Sequence, residues 1–510
     1  MKKITVIIVS ILLLSGRLFA ATYYIDPDKG NDETGVVNDA NHPFKHWSVI
    51  SWATGNTYLQ KRGTVAHEHI STTGDSYACV IIEAGGTSSK PVIIGSYGNS
   101  SDPKPIISGD WDVDYGILST TGSYITIQDI EIRYTKQEGI YIYGGSTPRT
   151  AIKINNVLVH HCGKTGILFT SNSSAGTISE CEIRNSEMHH CLNGSHCYRF
   201  VTDIYFYNCR AYENDMHGFS SGGQSTHENF RINYNNCEAW GQHLNVESWT
   251  IGEQYHPGDR VADFARSARY ICIASHISSS TTAPNSGDAW RKYWYSYSVW
   301  MGDEGNGFHY DDNSSGNLSQ GCISHDNQRD GFLSNNASNS SFINCLSYNN
   351  GSNGIQFLGL TNYGHVYNCT LVNNNATGCY ISRSNPSVIV KNTILMNNKN
   401  GLVINNATKP NESYNCFYNN KFNYFDFSLS NAIPIHATDI TQDPILNTAA
   451  PNTYMQKENS PCINAGTTIV EVTKDIRSIT RPQKGNYDIG CYEYTPLCEK
   501  PSNVKVILID

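Results

Sequence analysis

Between about residue 103 and residue 425 the chain alternates short apolar stretches with asparagine-rich breaks, and no stretch repeats with the 3.6-residue period of an amphipathic helix. The clearest marker is a series of cysteines, usually preceded by asparagine: Cys181, Cys209, Cys237, Cys322, Cys345, Cys369 and Cys416, spaced 28, 28, 85, 23, 24 and 47 residues apart. The 47-residue step reads as two units with Thr393 as the missing member, and the 85-residue step as one unit plus an insertion. Extended backward, the series takes in Val157 and Ile130. Each unit reads apolar-x-Asn-Cys-x-apolar, an Asn-rich turn, then Gly-apolar-x-apolar, as in Asn344-Cys345-Leu346-Ser347 leading to Gly354-Ile355-Gln356-Phe357. A unit this short cannot bury its apolar face alone and must stack on its neighbours. The pattern predicts an all-β chain, a right-handed parallel β-helix (a solenoid) with a small inserted β module.

Strand alternation turns the cysteine inward and leaves two outward rows on the same strands. One row is Glu131, Leu158, Glu182, Arg210, Glu238, Ile323 and Leu346; two residues on lie Arg133, His160, Arg184, Tyr212, Trp240, His325 and Tyr348. A strip mixing Arg, Glu, His, Tyr and Trp along stacked coils suits an extended sugar chain, though an ordinary solvated sheet face carries such residues too.

Only 16% of residues are charged, which fits a fold with a bend in every coil. Lys2-Lys3, an apolar run from Ile4 to Leu14 and Leu18-Phe19-Ala20 predict a secretory signal at 1–20 and an exported mature chain. Its removal takes the formal charge from −9 to −12, which argues against a nucleic-acid partner, and no later stretch is long enough to span a membrane. A monomer is expected. Sixteen cysteines in an exported chain could form disulfides, with Cys191 and Cys197 one option, but one inward thiol per coil fits a small apolar filler better. The expected organisation is a cap and first coils at 21–102, β-helix at 103–241, the insertion at 242–303, β-helix at 304–425, a closing segment at 426–494 and a linker or truncated module at 495–510.

Several segments resemble known families. Tyr23-Tyr24-Ile25-Asp26-Pro27 and Ser460-Pro461-Cys462-Ile463-Asn464-Ala465-Gly466 are similar to the capping and closing segments of secreted bacterial β-helix proteins. Within the insertion, Trp249, Tyr255-His256-Pro257-Gly258-Asp259-Arg260-Val261, Trp290 and Trp294 resemble a small chitin-binding type carbohydrate-binding module. That resemblance implies that Trp249, Tyr255, Trp290 and Trp294 form a platform for sugar rings; they could equally be the core of a small domain. Gly305-Asn306-Gly307-Phe308, with Gly331-Phe332 and Asn335-Asn336, resembles the active-site coils of pectate-lyase-like proteins, closest to the family nine polysaccharide lyases.

Those lyases carry a lysine base where this chain has His309, and the resemblance implies β-elimination on a uronate-containing polysaccharide. A neutral histidine can be such a base. Arg210 is a candidate clamp for the substrate carboxylate, with Asp311, Asp330 and His325 as acid, orienting or binding groups. The resemblance also implies calcium, but the corresponding turn Asn214-Asp215-Met216-His217-Gly218-Phe219-Ser220 keeps only Asp215, with His217 a weak second ligand. His160-His161-Cys162, His189-His190-Cys191 and His196-Cys197 are further soft ligands on consecutive coils, without a known metal spacing. Two readings stay open beside the lyase: a glycoside hydrolase using Asp311, Asp312 and Asp330, and a non-catalytic carbohydrate-binding or adhesive β-helix.

Overall fold

A computed structural model describes residues 20–495, apart from 73–75, 224–227, 243–246, 264–267, 287–288, 299–304, 360–362, 384–387 and 451–452. The expected signal segment and the C-terminal tail lie outside the described residues but for their inner ends. Three long sheets of 15, 12 and 14 strands make up the coil, and their pairing is parallel except at the ends of the third. Each coil feeds the first, second and third sheet in turn. Ile125–Gln128, Glu131–Thr135 and Ile140–Gly144 form one coil; Lys153–Asn155, Leu158–Cys162 and Thr165–Ser171 stack on it in register. Twelve strands in the second sheet correspond to twelve coils.

Alternation fills the interior with one apolar column per inward position. Ile127, Ile154, Ile183, Phe206 and Tyr234 follow one another in the first sheet, all fully buried. Phe219, Phe308 and Phe332 stack in the third, with ring centroids 5.0 and 4.8 Å apart. Each such side chain stabilises by roughly 1.5–3 kcal/mol relative to exposure, a gain available only because a neighbouring coil covers it.

Asparagine recurs because of the bend between the first and second sheets. Asn156, Asn208, Asn236, Asn344, Asn368 and Asn392 sit there at φ between 50° and 53°, the left-handed region that asparagine tolerates better than most residues. The residue after each returns to the interior, which is why a small or apolar side chain follows. Main-chain bonds fix that column as Ile130, Val157, Ser186, Cys209, Cys237, Cys322, Cys345, Cys369, Thr393 and Asn415. Cys181 and Cys416 do not belong to it. Cys181 lies in the first-sheet strand Ile178–Arg184 opposite Ile204, and Cys416 pairs with Ile394, one residue past the column. All fifteen cysteines among the described residues are free and buried, so Cys191 and Cys197 are not bridged. Burial pushes thiols such as Cys181 and Cys379 up to about 12, as for inert core fillers.

A second ladder holds the bend into the third sheet. Asn327, Asn350, Asn374 and Asn398 are buried and joined amide to amide, Nδ2 to Oδ1, at 2.9, 2.9 and 3.1 Å, and each Oδ1 also accepts a backbone N–H of the previous coil. Gln242 and Asn214 continue this ladder toward the N-terminus. The closing segment covers the outer face of the last coils: Leu446, Tyr454, Cys462 and Ile489 pack on Leu346, Val372 and Ile394.

The insertion leaves the coil after the strand Glu238–Trp240 and re-enters it at Asn306–Tyr310. Among the described residues it forms a four-stranded sheet of Glu247–Ser248, Arg260–Asp263, Ala268–Cys272 and Trp294–Ser298, with a two-stranded pair Gln254–Tyr255 and His276–Ile277. Its core is Val261, Ala268, Tyr270, Cys272, Trp290 and Trp294. Trp290 and Trp294 are therefore not a sugar platform: at 7% and 1% exposure they hold the module together, the latter donating Nε1–H to the Thr282 carbonyl. Trp249 and Tyr255 are half-buried at the edge of that core.

Candidate functional site

The outward row of the third sheet runs Leu168, His196, Ser220, His309, Leu333 and Gln356 in strict register. His309 stands in its middle, with His217, Asn306, Asp311 and Asn335 around it. His309 Nδ1 lies 2.9 Å from His217 Nε2, and its Nε2 points at Asp311 Oδ1, 3.6 Å away. His217 Nδ1 faces the Asn306 amide nitrogen at 3.5 Å, while Asn306 Oδ1 accepts the Asp330 backbone N–H at 3.0 Å. Asn335 Nδ2 donates to Asp311 Oδ1 at 2.8 Å. His309 and His217 are almost fully buried, whereas the Asp311 side chain is 40% exposed. The group that presents itself to solvent is thus a carboxylate backed by two histidines.

Two coils before His309, His196 Nδ1 meets Ser220 Oγ of the intervening coil at 2.6 Å, and the hydroxyl also reaches the Ser195 carbonyl at 3.1 Å. Burial, with His217 and His309 nearby and against the pull of Asp311, brings His196 down to about 4. It is neutral at physiological pH.

Asp330 and Asp312 are not partners of Asp311 in a carboxylate pair. Asp330 is 2% exposed, and its Oδ1 accepts from the Asn353 backbone at 2.8 Å and side chain at 2.9 Å; burial raises it above the ordinary carboxylate range. Asp312 is exposed and takes a bond from Asn336.

Arg210 is on a different face. It lies in the second-sheet strand Arg210–Tyr212, with Glu187 Oε1 at 3.5 Å and Glu238 Oε2 at 3.8 Å, so the expected clamp stands on the sheet next to that of His309 and is engaged by glutamates there. The outward rows also differ at one coil: Glu187 and His189 occupy the places expected for Glu182 and Arg184. Glu182 and Arg184 pair with each other at 3.0 Å on the first sheet, because the strand that holds Cys181 belongs to that sheet.

The corrected strip stacks ring on ring. His160, His189, Tyr212, Trp240, His325 and Tyr348 follow at centroid distances of 4.9, 4.7, 4.5, 5.8 and 4.6 Å with interplanar angles of 16° or less. Their faces cover one another and their edges point outward, which is the wrong presentation for stacking on a sugar. Arg133, at the head of this row, is paired with Glu131 at 3.1 Å and lies over the Tyr134 ring. His160–His161 and His189–His190 each bring two Nδ1 atoms to 2.7 Å, and among the described residues no group of three or more His, Cys, Asp or Glu is arranged to hold a metal ion.

The turn that resembles a calcium site does not fit one. Asp215 is fully buried and its Oδ2 takes Nη1 of Arg260, from the insertion, at 2.5 Å. The same guanidinium reaches the carbonyls of Cys162, His190 and Cys191, and Arg269 Nη1 donates to the Asp215 carbonyl at 3.1 Å. The cation at Asp215 is an arginine. Its sequence neighbourhood gives no hint of this, since Arg260 and Asp215 are brought together only by docking of the module. Asn306 was legible from the Gly-Asn-Gly-Phe frame, but the grouping of His196 and Ser220 with His309 was not, because register, not spacing, brings them together.

A family model described as a right handed β-helix region matches residues 115–251 and 296–440, more than half of the chain. The chain belongs to the right-handed β-helix family. Solved structures similar to this β-helix protein include pectate lyase Pel9A, at 16% identity and a TM-score of 0.50 over 93% of this chain and 96% of that one. A GH136 lacto-N-biosidase from Eubacterium ramulus matches at 12% and 0.48 over 78% and 67%, and the mannuronan C-5 epimerase AlgE4 A-module of Azotobacter vinelandii at 15% and 0.42 over 76% and 91%. At these identities the likeness is one of fold. A search of curated proteins gave no match. No described helix is long and apolar enough to cross a membrane.

Proposed function

We propose that this β-helix protein is an exported polysaccharide lyase that cleaves a uronate-containing chain by β-elimination on the outer face of its third sheet. The observation that carries the reading is the Asp311–His309–His217 chain in the middle of that face, set in the Gly-Asn-Gly-Phe frame that resembles the family nine lyases. Elimination needs a base beside the carbon that bears the acidic proton, and a carboxylate backed by imidazoles supplies it. A reading as hydrolase would need a second carboxyl acting with Asp311; Asp330 is buried against Asn353, and Asp312 is held by Asn336. Calcium is not assigned to the Asp215 turn. The insertion would act as a carbohydrate-binding module through the surface around Tyr255, where Glu247, Glu253, Gln254 and Asp259 line a cavity of about 450 Å³.

The test is incubation of the mature protein with pectin, polygalacturonate, alginate, glycosaminoglycans and chitin, with and without chelator, following unsaturated uronate by ultraviolet absorbance alongside reducing ends. Absorbance rising with reducing ends, unaffected by chelator, is expected. Reducing ends without absorbance would favour hydrolysis, and retention on a polymer without either would make this a binding protein.

A further inference from the structure

The direction of the hydrogen bonds around His309 can be read from one backbone group outward. The Asp330 N–H can only donate, so the Asn306 atom facing it is the carbonyl oxygen Oδ1, and Nδ2 is the atom turned to His217. An amide nitrogen also only donates, so His217 Nδ1 accepts. A neutral imidazole then carries its proton on Nε2, and His217 donates to His309 Nδ1 across 2.9 Å. With Nδ1 accepting, the proton of neutral His309 sits on Nε2, aimed at Asp311 Oδ1. The chain is a one-way wire from the Asp330 amide to the Asp311 carboxylate. Its resting state leaves no lone pair on His309 for the substrate. At the end of the wire, Asp311 has Oδ1 engaged by Asn335 and faced by His309, while the side chain is 40% exposed against 9% for His309.

We propose that Asp311, not His309, is the catalytic base, and that His309 is the proton donor to the leaving oxygen, with His217 and Asn306 as positioning residues that set its tautomer. This rests on the elimination proposed above. In that step the C–H bond next to the substrate carboxylate breaks, its proton goes to Asp311 Oδ2, and its electron pair forms the C=C bond. The C–O bond to the leaving sugar breaks with its electrons on oxygen, which takes the Nε2 proton of His309. Asp311 passes its new proton to His309 Nε2, and both groups return to their starting state. The 3.6 Å between them is longer than a hydrogen bond, so this transfer requires the pair to close when substrate binds.

Two measurements test this independently. In protein labelled with nitrogen-15 at histidine, with His309 assigned by its loss in His309→Gln, the resting signals show Nε2 protonated and Nδ1 bare; the reverse pattern overturns the proposal whether or not a substrate is known. On a polymer that is cleaved, Asp311→Asn lowers kcat by roughly 10²–10⁴-fold with KM little changed. His309→Gln, which keeps an N–H donor, retains more activity than His309→Leu, and His217→Leu, which removes the donor to Nδ1, moves the His309 nitrogen-15 signals toward a protonated Nδ1. Asp311→Asn only mildly impaired, with His309→Gln inactive, would return the base to His309. Failure of every polymer to react would remove the lyase reading and leave the nitrogen spectrum to decide the tautomer.

Discussion

His325 shows how a single side chain in the stacked strip answers to pH. Burial works against its charge, but Asp326 at 2.6 Å from Nδ1 and Glu238 at 3.4 Å from Nε2 hold the imidazolium above the ordinary histidine range. The proton is bound more tightly in the folded chain than in the unfolded one. Its stabilisation is therefore complete below the unfolded value of ~6.5 and is lost as pH rises from there through the folded value. Replacing His325 by Gln flattens the pH dependence of the denaturation midpoint in that window and leaves it unchanged well above it. Glu412 gives the same sign for another reason. Burial beside Asp439 raises it to about 8, so the folded chain keeps a proton that the unfolded chain has released above ~4.3, and stability falls as pH climbs between the two. Glu412→Gln removes that fall, which urea denaturation from about pH 4 to about pH 8, the span between the two pKa values, would show as a lost slope.

At the scale of the element, the coil is held by amides as much as by its apolar columns. Asn350 donates from Nδ2 to the Ser324 carbonyl, Ser347 Oγ and Asn374 Oδ1, and accepts from the Asn327 backbone and side chain. Asn350→Ala strands several of these buried groups at roughly 1–3 kcal/mol each, so a loss of about 3 kcal/mol or more is expected in urea denaturation. Asn350→Asp tests the direction of the ladder, since it keeps the acceptor and removes the donor. The repeat of these turns was what the sequence displayed: unit length, the insertion and the stacked β architecture all followed from it. Exact register was not displayed. Asn-Cys marks a left-handed bend, and Glu180-Cys181 and Asn415-Cys416 imitate it one strand away and one residue late, which slid Glu182 and Arg184 into a row that Glu187 and His189 occupy. Glu180 is left-handed too, but the left-handed residues at the bend before the second sheet in those coils are Asn185 and Tyr414, which only the second sheet's pairing reveals.

The whole molecule joins a one-dimensional stack to a module that interrupts a single bend. In the preceding coil the same bend is spanned by Glu213–Met216 alone, and the strands on either side of the insertion pair normally with the coils above and below. The stack therefore does not need the module for its geometry, but Asp215 needs it for its charge. Arg260 crosses the carbonyls of two earlier coils to reach that buried carboxylate, and Ile271, Ile273 and Tyr295 pack on Trp111, Tyr134 and Leu192 beside it. Removing one partner of a buried pair leaves an uncompensated charge worth roughly 3–5 kcal/mol, whereas removing both charges together costs far less. Replacement of residues 243–304 by a short Gly-Ser link is expected to give a folded β-helix with a markedly lower melting temperature. The same deletion combined with Asp215→Asn recovers most of that loss, and Asp215→Asn in the intact chain is destabilising because it removes the carboxylate that pairs with the buried Arg260 guanidinium. A deletion variant that melts equally low with Asp215 or Asn at this position would mean that apolar packing, not the Arg260 ion pair, seats the module on the coil.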